Sequence, residues 1–259
     1  MNSRILIKIG GQAFENEDGF KELAAAIKAI RNIELIIVHG GGAEISQALN
    51  DAGRNTAFID GIRVTLAEDI KIVENVLSGT INQRIAGWLE KNGVACLRMS
   101  GKTQNLFVVT PMTRRGQALG YVGKIEHVNP NVVIETLKRG VVPVVSPISA
   151  DEKGLSYNVN ADSAAAALAA GAQCTDLVFV TDVPGVMIDN QVRSKLAVEE
   201  AQVLIADGTI KGGMVAKLES AFEALNQQVP RVHIIRWQGP RTLSNLIHQK
   251  SIVGTIITV

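Results

Sequence analysis

Two lysines, one aspartate and two glycine clusters are the residues whose types and spacing can do chemistry. Lys8 interrupts an apolar run, Arg4-Ile5-Leu6-Ile7-Lys8-Ile9, where an ammonium is costly unless it faces a site or a partner. Lys217 follows Lys211-Gly212-Gly213-Met214-Val215-Ala216, a glycine pair opening a helical pattern whose first turns carry a cation. Asp162 follows Asn158-Val159-Asn160-Ala161 and precedes an alanine-rich helical stretch. Taken singly, Asp162 is a natural helix N-cap and Lys217 a residue of a solvated helix face. Taken together, two cations and a carboxylate beside glycine loops are the parts of a phosphoryl-transfer site. That reaction asks the protein mainly for positioning and for cations around the moving charge.

The glycines stand where apolar runs end. Gly10-Gly11 closes the first run, and His39-Gly40-Gly41-Gly42 closes the second, with a helical pattern directly after it. Ligands of open parallel sheets bind at the carboxyl ends of strands. Glycines there let backbone N–H groups approach an anion, and a following helix N-terminus adds a favourable dipole. Each loop also has a plainer reading as a tight strand-to-helix turn. Neither GxxxxGK[ST] nor a GxGxxG after a strand is present, so the P-loop and Rossmann dinucleotide patterns are excluded. Arg63, in Asp60-Gly61-Ile62-Arg63-Val64-Thr65, offers a planar fork for a substrate carboxylate, or is a surface arginine in a loop. His39, a strand-end histidine before glycines, reads as structural rather than as a general base, and a carboxylate nucleophile would need no base at all.

The elements that must position these residues alternate along the chain. Arg4–Ile9, Glu34–Val38, Val94–Met99, Val141–Val145, Leu177–Thr181 and Val232–Ile235 are short runs rich in Val, Ile and Leu, as strands covered on both faces require. Phe20–Arg31, Asp69–Glu90, Val132–Lys138, Asp162–Ala170, Ala197–Ala206 and Met214–Asn226 carry helical patterns. Gln104–Val128 lacks helical periodicity and reads as an antiparallel hairpin appended to the sheet, turning near Pro111 to Gly116. A smaller hairpin is expected through Asp151–Asn158, turning near Glu152-Lys153-Gly154. The fold class is therefore α/β, with a mainly parallel central sheet and helices on both sides.

Composition sets the outer bounds. The 259 residues carry 26 Lys+Arg against 25 Asp+Glu, a net charge of +1, with 46% apolar and 20% charged residues. Disorder and coiled coil are excluded, and nucleic-acid or anionic-membrane binding has no support in the charge pattern. Cys96 and Cys174 stand in no CxxC pair and beside no histidine cluster. A disulfide framework, a structural zinc and a redox dithiol are excluded, and both are expected to be small core residues. No long apolar h-region opens the chain, and Ala164–Ala170 is too short to span a bilayer, so a cytoplasmic protein is expected.

The chain resembles the amino-acid kinase family nearly end to end. KIGG, IVHGGG, DGIRVT, LSGTINQ, LGYVGKIEHVNP, VVPVVSPI, NVNAD, TDVPGV and IKGGMVAKL follow that family's order and spacing. The resemblance implies the family's open three-layer αβα sandwich with appended β-hairpins. It implies a lobe over residues 1–172 for the acceptor amino acid and dimerisation, and a lobe over 173–259 for ATP, built on one continuous sheet. The implied reaction is ATP-dependent phosphorylation of the side-chain carboxylate of N-acetyl-L-glutamate, a step of arginine biosynthesis, with Mg2+ carried on the ATP phosphates and no protein metal ligand. Lys8 and Lys217 would stabilise the transferring phosphoryl group, with Asp162 organising them. Gly10, Gly11 and Gly41 would bind phosphate, and Gly41, Gly42, Arg63 and Asn158 the acceptor. Asp182, Val183, Pro184, Gly185, Val186 and Met187, with Thr209, Ile210 and Lys211, would line the nucleotide site. The family's usual SGKDG is replaced by Ser100-Gly101-Lys102-Thr103-Gln104, and Arg98 stands where a small residue is common; these positions are expected near the hairpin that covers the acceptor. Two alternatives are a kinase of the same fold acting on another N-acylated or carrier-bound acid such as aminoadipate, and a non-catalytic nucleotide-binding relative. The first strand begins almost at Met1, and Gln238 to Asn245 lacks a stretch rich in Glu, Phe and Gly; a homodimer that arginine does not inhibit is expected.

Overall fold

Alternating apolar strands and amphipathic helices assemble as a three-layer sandwich in the computed structural model, which describes residues 3–10, 14, 17–30, 32–248 and 254–259. The central sheet has eight strands in the order β14 (Lys195–Ala197), β16 (Gly254–Thr258), β15 (Arg231–Ile235), β11 (Asp176–Val180), β1 (Ser3–Ile9), β2 (Ile33–His39), β8 (Val142–Ser146) and β5 (Cys96–Ser100). Every neighbouring pair is parallel except β15 with β16. One half of the sheet comes from residues before 173 and the other from residues after it, meeting where β1 pairs β11.

Both faces of the sheet are covered, which is why its strands are nearly continuous in Val, Ile and Leu. On one face Leu6, Ile36, Val38 and Phe179 pack under α5 (Asn131–Lys138), α6 (Ala161–Gly171), α7 (Val198–Ala206) and α8 (Gly213–Asn226). On the other, Ile5, Ile7, Ile37 and Val178 meet α1 (Glu17–Ala29), α2 (Gly42–Asp51), α9 (Thr242–Ile247) and the long helical segment that begins with α3 (Ile70–Glu74). Side chains alternate along a strand, so Lys8 shares the face of Leu6 and points toward α6 and α8. The alanines of α6 let it lie close against the sheet; Ala164, Ala165 and Ala166 are fully buried.

Four expectations are corrected. The helix expected over Asp69–Glu90 is a helical path from α3 to α4 (Asn82–Lys91), interrupted by a π-helical stretch at Asn75–Ile81. The hairpin of β6 (Phe107–Arg114) and β7 (Gln117–Val128) turns at Arg115 and Gly116, while Pro111 lies inside β6 beside a register shift, where a bulge tolerates it. The expected smaller hairpin is present as β9 (Ile148–Ala150) and β10 (Ser156–Asn158). The two hairpins do not extend the main sheet, because β10 pairs β7 and β9 pairs β6, closing a four-stranded barrel of their own. Cys174 is buried as expected, but Cys96 is only half-buried; burial pushes both thiols up to about 12. Two further two-stranded hairpins, β3 (Phe58–Ile59) with β4 (Ile62–Arg63) and β12 (Met187–Ile188) with β13 (Gln191–Val192), are too short to show an alternation in sequence.

Candidate active site

The carboxyl ends of β1, β2 and β11 bring the chemistry together. Lys8 is one residue from the end of β1, between Val38 of β2 and Phe179 of β11 in register. Directly above it is the N-terminus of α6. Asn160 caps that helix, its Oδ1 accepting the amide N–H groups of Asp162 at 2.8 Å and Ser163 at 3.1 Å. Asp162 is therefore not the N-cap. With the capping duty taken by Asn160, its carboxylate is free to turn toward the sheet.

There it sits between two ammonium groups. Lys8 Nζ lies 2.8 Å from Asp162 Oδ1, and Lys217 Nζ donates to Oδ2 at 2.8 Å. Lys217, on the second turn of α8, is not on a solvated face; it is 8% exposed, against 9% for both Lys8 and Asp162. Its ammonium also lies 5.1 Å from the centre of the Phe179 ring, a cation–π contact. Burial opposes the charge on Asp162, but the two lysines override it and hold the carboxyl well below the usual carboxylate range. Burial lowers the pKa of Lys217, with Asp162 acting against that shift.

Glycine geometry is set by these neighbours. A Cβ on Gly10 would stand 2.6 Å from Lys8 Nζ, and one on Gly41 would stand 2.2 Å from Ile81 Cδ1 of the π-helical stretch. Gly41 leads into α2 without a side-chain cap, leaving the first amides of that helix for another acceptor. Gly11 lies outside the described residues. A cleft of about 230 Å³ opens beside the loop, lined by Lys8, Gly10, Gly41, Gly42, Asn158 and Asp162, with Arg63 across from them. Its size suits a small amino-acid derivative rather than a drug-sized ligand. Arg63 is buried beneath Phe58, 4.7 Å from the ring centre, and donates to Gly42 O at 2.7 Å, Ser46 Oγ at 2.9 Å and Thr56 Oγ1 at 3.2 Å. Asn158 donates to Thr65 Oγ1 at 3.1 Å.

The residues expected at the nucleotide are on two loops of the other half of the sheet. Asp182 to Met187 follows β11; Gly185 fits against Thr255 and Gly254, and the Val186 N–H donates to Thr255 Oγ1 at 2.8 Å. Thr209 to Lys211 joins α7 to α8, anchored by buried Ile210, while Thr209, Lys211, Val183 and Met187 are exposed. Asp182 also lines a second cavity of about 650 Å³ on the far side of the glycine loop, walled by Gly10, Gly40 and Glu44, the last paired with Arg84. Among the described residues lining the 230 Å³ cleft, none comes from Arg98–Gln104. Lys102 instead joins Glu74 and Ser156, and Arg98 reaches the π-helical stretch. The departure at SGKTQ thus belongs to the scaffold behind the site. Sequence reasoning missed Asn160 as the cap, Phe58 as the cover of Arg63, and Asn82; an Asn two residues before Asp162 was a readable capping signal, whereas Phe58 lies in a strand too short to show a period and Asn82 depends on distant contacts.

An open αβα sandwich with glycine turns at adjacent strand ends defines the class: the chain belongs to the amino acid kinase family, which matches residues 3–236. It is 36% identical over 97% of its length to an acetylglutamate kinase of Pseudothermotoga lettingae, covering 90% of that protein. Against an acetylglutamate kinase of Methanocaldococcus jannaschii the identity is 37%, with 98% of this chain and 89% of that protein covered. Among solved structures it is similar to smu.665 from Streptococcus mutans UA159, with a TM-score of 0.79, 28% identity, and 100% of this chain and 99% of that one covered.

Proposed function

We propose that this protein transfers the γ-phosphoryl group of ATP to the side-chain carboxylate of N-acetyl-L-glutamate, giving N-acetyl-L-glutamyl 5-phosphate and ADP. The observation that carries the reading is the buried Lys8–Asp162–Lys217 cluster, whose Lys8 and Asp162 line a small cleft together with Arg63. The relatives named acetylglutamate kinase, matched over nearly the whole chain, favour this acceptor.

An oxygen of the acceptor carboxylate attacks the γ-phosphorus, and the bond from that phosphorus to the bridging oxygen breaks as ADP leaves. No proton has to move, so the site needs no general base. Lys8 and Lys217 offset the charge that spreads over the phosphoryl oxygens in the transition state. Asp162 keeps both ammonium groups pointing inward, and the Gly10 and Gly41 amides face the same oxygens. Arg63 and Asn158 hold the acceptor's carboxylate and acetyl ends, with Gly42 beside them. Residues 1–172 form the acceptor lobe and 173–259 the nucleotide lobe, where the loops Asp182–Met187 and Thr209–Lys211 line ATP. Both oxygens of Asp162 are engaged by ammonium groups, a donor set that suits Mg2+ arriving on the nucleotide phosphates rather than held by this carboxylate. The reaction belongs in the cytoplasm, and the described residues include no helix long and apolar enough to cross a membrane.

A hydroxamate assay with ATP, Mg2+ and hydroxylamine, run in parallel on N-acetyl-L-glutamate, N-acetyl-L-aspartate, N-succinyl-L-glutamate, free glutamate and N-acetyl-L-aminoadipate, tests the reading. The strongest acyl-phosphate trapping is expected with N-acetyl-L-glutamate. A clear preference for another acid removes the substrate but keeps the chemistry, and silence with all five removes both. On a sizing column the same preparation is expected at twice the chain mass, and arginine is expected not to inhibit it.

A further inference from the structure

His39 moves no proton in the reaction above, and Arg98 stands outside the cleft, yet one chain of hydrogen bonds joins them to the glycine loop. Arg98, exposed on β5, donates from Nε to Asn82 Oδ1 at 3.1 Å and from Nη2 to the Ser78 carbonyl at 2.9 Å. Asn82 is buried at the start of α4, and its Nδ2 lies 3.0 Å from the Val144 carbonyl and 3.0 Å from His39 Nε2. His39 Nδ1 lies 2.9 Å from the Gly40 carbonyl oxygen.

Each contact dictates the next. A guanidinium only donates, so the Asn82 atom facing it is the oxygen, and the other must be the NH2 group. One amide hydrogen goes to the Val144 carbonyl. The other is left for His39 Nε2 at 3.0 Å, the Met99 carbonyl being farther at 3.4 Å, and because an amide NH2 only donates, Nε2 must be a bare acceptor. The single imidazole proton is left on Nδ1, where it donates to the Gly40 carbonyl. Burial pulls the pKa of His39 down to about 4, so the ring stays neutral and this tautomer persists at neutral pH. The Gly40 carbonyl and the Gly41 N–H belong to one trans peptide and point in opposite directions. Turning the carbonyl toward His39 therefore turns the Gly41 N–H away from it, at a residue that lines the cleft with Lys8 and Asp162.

We propose that Arg98, Asn82 and His39 form a positioning relay that sets the Gly40–Gly41 peptide plane and so aims the Gly41 N–H at the transferring phosphoryl group. None of the three touches substrate. The final step rests on the phosphotransfer reading; the relay and its tautomer stand without it. A loop of three glycines has no side chains of its own to hold this orientation, which is why it has to be supplied from behind.

The test uses the full chain labelled with 15N-histidine, His39 being assigned by the resonance lost in His39→Gln. The wild type is expected to show a protonated Nδ1 and a bare Nε2 at pH 7. Arg98→Met removes the exposed end of the relay, where folding is least at risk. His39 is then expected as a mixture of tautomers, with kcat toward N-acetyl-L-glutamate about tenfold lower and KM for ATP within about twofold, since a misaimed donor costs rate rather than nucleotide binding. A protonated Nε2 in the wild type overturns the relay. So does an Arg98→Met protein with unchanged tautomer and kcat, or one whose kcat falls only in step with a rising ATP KM. If the wild type phosphorylates none of the acids, the phosphotransfer reading fails while the nitrogen spectra still decide the relay.

Discussion

Two ammonium groups held as close as those of Lys8 and Lys217 repel each other unless an opposite charge stands between them, and Asp162 is that charge. The arrangement makes the roles separable. Lys8→Ala and Lys217→Ala are each expected to lower kcat by about 10² to 10³, the cost of removing one preorganised charge-stabilising donor. Asp162→Asn leaves two buried cations uncompensated and is expected to lower the melting temperature as well, by the equivalent of about 3 kcal/mol. Gly10→Ala is the sharper case. Its Cβ would meet Lys8 Nζ at 2.6 Å, the mobile end of a flexible side chain, so the fold is expected to hold while activity falls as the ammonium leaves Asp162. Steady-state kinetics beside a thermal melt separates Asp162→Asn, which loses stability as well, from the other three variants. At this scale the sequence was informative: Lys8 in an apolar run was already out of place, and the structure explains it by the pairing with Asp162.

The β3–β4 hairpin lines the 230 Å³ cleft proposed to take the acceptor. Its side chains do two jobs: Phe58 lies over the Arg63 guanidinium, and Asp60 at the turn pairs with Arg114 and Arg115 of the β6–β7 hairpin. Arg114 continues to Glu219 on α8, two residues past Lys217, so the β3–β4 hairpin, the barrel and α8 are tied together at the surface. Phe58→Ala removes the cation–π face, about 1 kcal/mol at a partly exposed position, and is expected to raise the acceptor KM roughly fivefold with kcat little changed. Initial rates at varied N-acetyl-L-glutamate would show it; an unchanged KM would mean the ring does not order Arg63. Arg63 was legible from its motif, but Phe58 was not, because two-residue strands leave no periodic signal.

Across the whole molecule, buried ionisable groups shape the dependence of stability on pH. His39 has a folded pKa of about 4 against an ordinary 6.5, so between those values the unfolded chain binds a proton that the folded one does not. Acidification through that window is expected to cost up to about 3 kcal/mol. Asp162 is held down by its lysines, and Asp176 by His233 and Arg231, each against the opposing effect of burial. Their contribution is complete above the ordinary carboxylate pKa near 3.8 and is lost below it as the pH falls toward their folded values. Urea unfolding is therefore expected to show nearly constant stability from pH 6.5 to about 8, a decline from 6.5 to 4, and a further loss below 4. His39→Asn is expected to flatten the middle segment alone; an unaltered slope there would mean that another group carries it.

The sequence by itself determined the α/β class, the six principal strands and the helices between them, because burial on one or both faces imposes a period that can be read locally. It also nominated Lys8, Asp162, Lys217 and Arg63, since a charge or a glycine in the wrong surroundings is visible one residue at a time. What tertiary structure decided is which of these meet. That Asp162 meets both Lys8 and Lys217, that the hairpins close into a barrel instead of widening the sheet, and that Arg98 reaches Asn82 all depend on residues brought together from distant parts of the chain. Hydrogen bonds and ion pairs act over about 3 Å in space, irrespective of separation along the chain. Periodicity reports which face a residue turns inward; it carries no record of the partner waiting there.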